Sequence, residues 1–312
     1  GSLLAILGLV FVFFISVWNG WVGYMPNMDE LSNPIDKFAS QVYSSDQQLI
    51  GTWNADNNNR VAIDYNGLSP HLVHALVATE DERFYEHSGI DFIALGRAVV
   101  KRGVMGQASA GGGSTITQQL AKQLFSEKAH STVERLLQKP IEWIIAVKLE
   151  RYFTKEEILA MYFNYFDFLH NAVGIKRAAN VYFNKEPRKL TVTESAMLVG
   201  LCKNPSMFNP LRHPERCLQR RNVVLMQMVK SGYVTKDEYK ELSQRPLGLH
   251  FTRSKPVSGA GDYFQAFLRQ YMMAKKPERE NYQSWQNRQF VLDSIAWEQD
   301  PLYGWCNKNT KR

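Results

Sequence analysis

The chain has 312 residues, of which 45% are hydrophobic and 21% charged, and a net charge of +7. That composition allows one large or two small folded domains, and the charge suits nucleic acid, anionic lipid or a phosphorylated substrate. No zinc-finger spacing and no basic run is present, which argues against nucleic acid. Cys202, Cys217 and Cys306 form no metal or disulfide pattern, and the seven histidines lack an HExxH pair.

In chain order, "LLAILGLVFVFFISVWNGWV" runs uncharged from Leu3 to Val22, long enough to cross a bilayer. Trp18, Trp21 and Tyr24 at its far end resemble an interfacial belt. Residues 1–24 therefore read as a retained transmembrane anchor. A signal peptide would have a shorter apolar core and a small-residue cleavage site. Asp29, Glu30 and Asp36 beyond it are compatible with an outer side. A linker, residues 25–66, contains a predicted β-hairpin: "QVYSSDQQLIGTW" (41–53), a polar loop "NADNNN", and a return strand "RVAIDY" (60–65).

From Ser69 the pattern is helical. Ser69 and Pro70 are an N-cap and first-turn pair for "PHLVHALVAT". A helix "FIALGRAVVKR" follows Asp91 and ends at Gly103, and a glycine-rich loop to Gly113 is expected to be mobile. Further helices are expected after that loop and at about 132–153, 155–166, 171–182, 192–202 and 215–230. The fold class is mainly α, with its main domain at 67–245. Beyond Arg245 the pattern weakens to a short helix in polar chain, read as a linker over 246–312.

The stretch "ASAGGGSTITQQLAKQLF" (108–125) carries the first chemistry. Gly111–Gly113 let the backbone approach a ligand closely. Thr115 and Gln118 have capping-box spacing. A helix start favours negative charge, and Ser114, Gln118, Gln119 and Lys122 add polar groups on that side. Lys-Ser or Lys-Thr does not follow the last glycine, and Ile116 stands where a dinucleotide fingerprint needs glycine, so neither nucleotide motif fits.

Two carboxylates stand out. Glu80 and Asp81 end an apolar helix, the unfavourable end of its dipole for a negative charge. From the residues alone, a solvated cluster in "EDER" is the commoner explanation. Glu142 shares a helix face with Arg135 and Lys139 if the helix continues through Pro140, which either kinks it or starts a new one. A surface salt bridge is the alternative. Phe92, Ile93, Leu95, Val99, Val100, Val104 and Met105, beside Lys101 and Arg102, form either a membrane-dipping lobe or an ordinary buried helix.

Together these segments resemble the peptidoglycan glycosyltransferase module, glycosyltransferase family 51, of class A penicillin-binding proteins. "EDERFYEHSGID", "GGSTITQQLAKQLF", "QKPIEWIIAVKLE", "EEILAMYFNYFDFLHNAVGIKRAANVYF" and "LTVTESAMLVGLCKNPSMFNPLRHPERCLQRRNVVLMQM" resemble its five motifs, in order, over about 41–245. The resemblance implies a lysozyme-like fold with a membrane-dipping lobe, at the outer face of the bacterial inner membrane. It implies polymerisation of lipid II into β-1,4 glycan strands, with inversion and release of undecaprenyl pyrophosphate.

On this pattern Glu80 is the general base and Glu142 the second essential carboxylate. Ser114, Thr115, Gln118, Gln119, Lys122, Arg135 and Lys139 match positions around the pyrophosphate and sugar. Implied partners are lipid II, the lipid-linked strand, membrane lipids, other cell-wall synthesis proteins and the inhibitor moenomycin. No cofactor is required; the resemblance allows an assisting Mg or Mn ion, without a readable ligand set. Departures are Gln138 before Lys139, Pro140 after it, Glu134 where arginine is usual, and Leu169 where glycine is usual. Neither Ser-x-x-Lys nor Lys-Thr-Gly occurs, and "GDYFQAFLRQY" resembles the linker to a transpeptidase domain, so a truncated class A protein is expected. The competing activities are a lysozyme-like hydrolase or lytic transglycosylase, and a non-catalytic scaffold.

Overall fold

The computed structural model describes residues 8, 12–21, 25–26, 31, 40–43, 49–53, 61–100, 113–125, 132–252 and 262–308. They fall into two compact units: Gly1–Phe38 with Asn58–Ser254, and Ala39–Asn57 with Lys255–Arg312. The mainly helical expectation holds in both.

In the first unit residues 12–18 are helical (α1). Among the described residues no helix is long and apolar enough to cross a membrane; much of the Leu3–Val22 stretch lies outside them. Then come α2 (Pro70–Glu80), α3 (Phe92–Val99), α4 (Ile116–Phe125), α5 (Thr132–Tyr152), α6 (Lys155–Tyr165) and α7 (Ile175–Phe183). The unit closes with α8 (Val192–Lys203), α9 (Pro214–Lys230) and α10 (Lys236–Leu242). Ser69 caps α2 as expected, accepting from the His71 N–H, and its own hydroxyl donates to the Leu190 carbonyl. Thr154, Thr191 and Thr235 each open a helix in a reciprocal capping box with the glutamate three residues on.

The core joins α2, α8 and α9 to α4, α5 and α6 through Leu72, Leu198, Leu225, Ile116, Leu149 and Phe163, all fully buried. Arg221 is buried as well. Its guanidinium donates to the carbonyls of Leu242, Ser243 and Pro246 just past α10. A buried cation is tolerable there because carbonyls at a helix C-terminus supply compensating negative ends.

Three expectations need correction. The hairpin is β1 (Ser40–Tyr43) paired antiparallel with β2 (Leu49–Trp53), Ser40 opposite Trp53. Residues 61–64 form no return strand. The buried Asn164 side chain takes their hydrogen bonds: its Nδ2 donates to the Ile63 carbonyl at 2.8 Å and its Oδ1 accepts the Ile63 N–H at 3.1 Å. The helix expected from residue 171 starts at Ile175. Beyond Arg245, the second unit contains α11 (Asp262–Met272), α12 (Asn287–Gln299) and α13 (Trp305–Lys308) rather than one short helix. Of the glycine-rich loop expected from Gly103 to Gly113, residues 103–112 lie outside the described residues.

Leu169, His170 and Asn171 explain the late start of α7. Their φ angles are 66°, 54° and 59°, three consecutive left-handed residues without a glycine. The turn is held by Asp167 accepting the Leu169 N–H and by the Tyr182 hydroxyl donating to the Phe168 carbonyl. For leucine this conformation costs about 1–2 kcal/mol, more than the roughly 0.5–1 kcal/mol of added chain entropy that glycine brings. Leu169→Gly is therefore expected to raise the unfolding free energy by about 0.5–1 kcal/mol, measured by urea denaturation. A lower midpoint than wild type would overturn this reading of the turn.

Candidate active site

Helix α2 ends at Glu80 because Asp81 leaves helical geometry, with φ −159° and ψ 75°. The two neighbouring carboxylates then part. Asp81 turns inward, where it accepts hydrogen bonds from His87 Nε2 at 3.0 Å and from the Ile116 N–H at 3.0 Å. It is thus the anion at the start of α4. Two of the donors expected to face a ligand anion are therefore taken inside the protein, the Ile116 N–H by Asp81 and the Gln118 N–H by the Thr115 hydroxyl.

The expected Thr115–Gln118 capping box is only half formed. Thr115 Oγ1 caps the Gln118 N–H at 3.1 Å, but the Gln118 amide donates to the Gly89 carbonyl at 3.2 Å instead of returning to Thr115. Thr115 also donates to Gly89, at 2.7 Å. Both side chains are buried. Gly89 can offer its carbonyl to both because it sits at φ +92° with its α-carbon against the α5 backbone.

Glu80 points the other way. Gln119 Nε2 donates to Glu80 Oε2 at 3.0 Å, and Arg220 Nη2 lies 3.5 Å from Glu80 Oε1. The fully buried Tyr162 hydroxyl donates to Gln119 Oε1 at 3.1 Å, which fixes the amide with its nitrogen toward Glu80. Burial first, then the neighbouring Cys202 and Glu80, pushes the Tyr162 hydroxyl well above its ordinary range. Burial and the Glu80 charge do the same to the Cys202 thiol. Both groups therefore stay neutral behind Glu80. Burial lowers the Arg220 guanidinium, with the Glu80 charge opposing that shift.

The second cluster lies beside Ser114, just before the start of α4. Pro140 is inside α5, which is continuous from Thr132 to Tyr152. Lys139 Nζ donates to Glu142 Oε2 at 2.7 Å and to Ser114 Oγ at 3.4 Å. Glu142 is buried while Lys139 is half exposed, so the pair presents its cationic end outward. Lys122 is exposed on α4 and makes no hydrogen bond or ion pair with another described residue. Arg135 lies on the α5 backbone, but its side chain is outside what is described. Beneath both clusters, Glu150 ties α5 to α4 and α6 through Thr117 at 2.6 Å and Lys155 at 2.8 Å.

Residues 46–229 match the family model described as Transglycosylase. The chain belongs to that family. This transglycosylase-family chain is 37% identical over 279 residues to penicillin-binding protein 1A of Aquifex aeolicus, covering 88% of this chain and 37% of that protein. It is 35% identical over 248 residues to penicillin-binding protein 1A of Escherichia coli, covering 80% and 28%. A crystal structure of penicillin-binding protein 1A from Haemophilus influenzae matches with TM-score 0.39 and 23% identity, over 79% of this chain and 26% of that one. The chain thus spans 37% and 28% of the length of the first two relatives.

Sequence reasoning overlooked Arg220, Tyr162 and the bridging role of Asp81. The adjacent arginines at 220 and 221 were the available signal for Arg220. Nothing local marks Tyr162, whose hydroxyl reaches the site only through helix packing. Among the described residues no three His, Cys, Asp or Glu side chains converge on a metal-sized site.

Gly89 offers a direct test of this packing in the transglycosylase domain. A Cβ there would lie 2.8 Å from the Ala146 carbonyl carbon and 2.9 Å from the Val147 nitrogen. Left-handed strain and overpacking add, so Gly89→Ala should cost about 3 kcal/mol by denaturant unfolding. An unchanged midpoint would show that α5 does not pack against this turn.

Proposed function

We propose that this chain is a peptidoglycan glycosyltransferase that polymerises lipid II. The observation that carries the reading is the pair of carboxylate clusters at the start of α4. Glu80 is oriented by Gln119 and Arg220, and Glu142 is paired with Lys139 beside Ser114. Glu80 accepts the proton of the acceptor sugar 4-hydroxyl as that oxygen attacks the donor's anomeric carbon. The new glycosidic bond forms with inversion as the bond to undecaprenyl pyrophosphate breaks. Lys139, Ser114, Lys122 and Arg135 meet the pyrophosphate with side-chain donors, since Asp81 and Thr115 already occupy backbone donors of α4. Glu142 holds Lys139 in place. Thr115 and Gln118 support the site from inside by locking the Gly89 turn.

The same reading places the domain at the outer face of a bacterial inner membrane, with Leu3–Val22 as its anchor. On α3, Phe92 and Ile93 are 72% and 63% exposed and Val100 just after it is 52% exposed. Such exposure is costly in water and supports a membrane-dipping lobe.

Glu80→Gln keeps size and polarity but cannot take the proton. It is expected to fold, bind moenomycin normally and lose polymerisation of labelled lipid II by about 10²–10⁴-fold. Near wild-type strand synthesis would refute the base assignment, and shortening of preformed strands by wild type would favour the hydrolase. Tyr162→Phe tests the orientation of the base. With Gln119 Oε1 unpaired, turnover should fall about tenfold, the value of roughly one lost hydrogen bond, while moenomycin affinity is unchanged. Equal losses in both would assign Tyr162 to donor binding instead.

A further inference from the structure

Helix α5 carries a second cationic site, on the side away from Glu142. Lys148 is 7% exposed, and no hydrogen bond or ion pair joins it to another described residue. Its Nζ sits 4.9 Å from the centre of the Trp18 ring, and the Arg151 guanidinium sits 5.6 Å from the same ring. One turn earlier on α1, Phe14 stacks on Trp143 of α5 with ring centres 6.4 Å apart. The two helices are therefore held in register along one seam.

Two cations share this indole, and an indole attracts a cation without carrying net charge. The nearest carboxylate in sequence, Glu150, is already taken by Lys155 and Thr117. Burial lowers the Lys148 ammonium from its ordinary range, the signature of a cation lacking a compensating anion. The donor cluster does not supply one. Arg151 follows Glu142 by nine residues, two and a half turns, which puts it about 180° around and about 13 Å along the helix.

We propose that Lys148 and Arg151, with Trp18 as the wall between them, bind the phosphate of an anionic phospholipid headgroup. The lipid source rests on the reading of Leu3–Val22 as a bilayer segment. Trp18 and the 76% exposed Trp21 lie at its far end, where indoles favour the headgroup level. A phosphodiester there bridges both cations, and its acyl chains run along the exposed Val12 and Ile15 side of α1. The site ties the depth of α5 in the membrane to the helix that bears Glu142.

The test uses the full chain in neutral detergent, with native mass spectrometry of complexes with phosphatidylglycerol or phosphatidylcholine at equal mole fraction. Wild type is expected to retain phosphatidylglycerol about 30-fold better, the equivalent of roughly 1 kcal/mol for each of the two basic residues at an anionic surface. Lys148→Met with Arg151→Gln should erase the preference. Arg151→Gln alone, at an exposed position, should reduce it about fivefold and serves if the double variant does not fold. Equal retention of both lipids by wild type, or an unchanged preference in the variants, overturns the proposal. Displacement by millimolar inorganic phosphate overturns the lipid source and leaves a free-phosphate site. Lipid II polymerisation by the same variants in detergent should stay at wild-type level. An inactive wild type would refute the glycosyltransferase reading without altering the lipid comparison.

Discussion

The Asp81 carboxylate is the interaction on which the arrangement of the site depends. It joins the end of α2 to the first turn of α4 and receives His87 from the intervening turn. A carboxylate buried this deeply must have its hydrogen bonds supplied from within the protein, and those bonds fix where α4 begins. That start in turn sets Ser114 next to Lys139 and Gln119 next to Glu80. One buried carboxylate thus orients another that remains partly accessible.

Gly89 applies the same constraint from the opposite side. Its carbonyl collects Thr115 and Gln118, and its missing side chain lets α5 approach. Residues that look like ligand contacts in the linear motif divide into two groups once packed. Thr115 and Gln118 hold the helix start, whereas Ser114, Gln119, Lys122 and Lys139 keep polar atoms at the accessible side. A motif of mixed purpose is expected where a loop must be both anchored and able to meet a charged ligand.

Helix α5 is then a two-sided element. One side gives Glu142 and Lys139 to the proposed donor site, and Glu150 braces α4 and α6. The other presents Trp143, Lys148 and Arg151 to α1. Pro140 does not break the helix, and Lys139 and Glu142 on either side of it still pair.

The sequence by itself determined the helical class, the Ser69 cap, the boundaries of α6, α8 and α9 within a few residues, and the family motifs. These follow from short-range periodicity and capping, which depend on neighbours in the chain. It also singled out Glu80, Glu142 and Lys139, because their residue types and spacing are visible locally. It misplaced the return strand at 60–65, since the groups that satisfy Ile63 come from Asn164, 101 residues away. It did not show that the Ile116 N–H of α4 is taken within the protein, because its partner, Asp81, lies 35 residues earlier. Only the tertiary structure could decide that Gln118 turns inward while Gln119 faces Glu80. Neighbouring positions on a helix differ by about 100°, and which one meets the carboxylate depends on how α2, α4 and α6 pack.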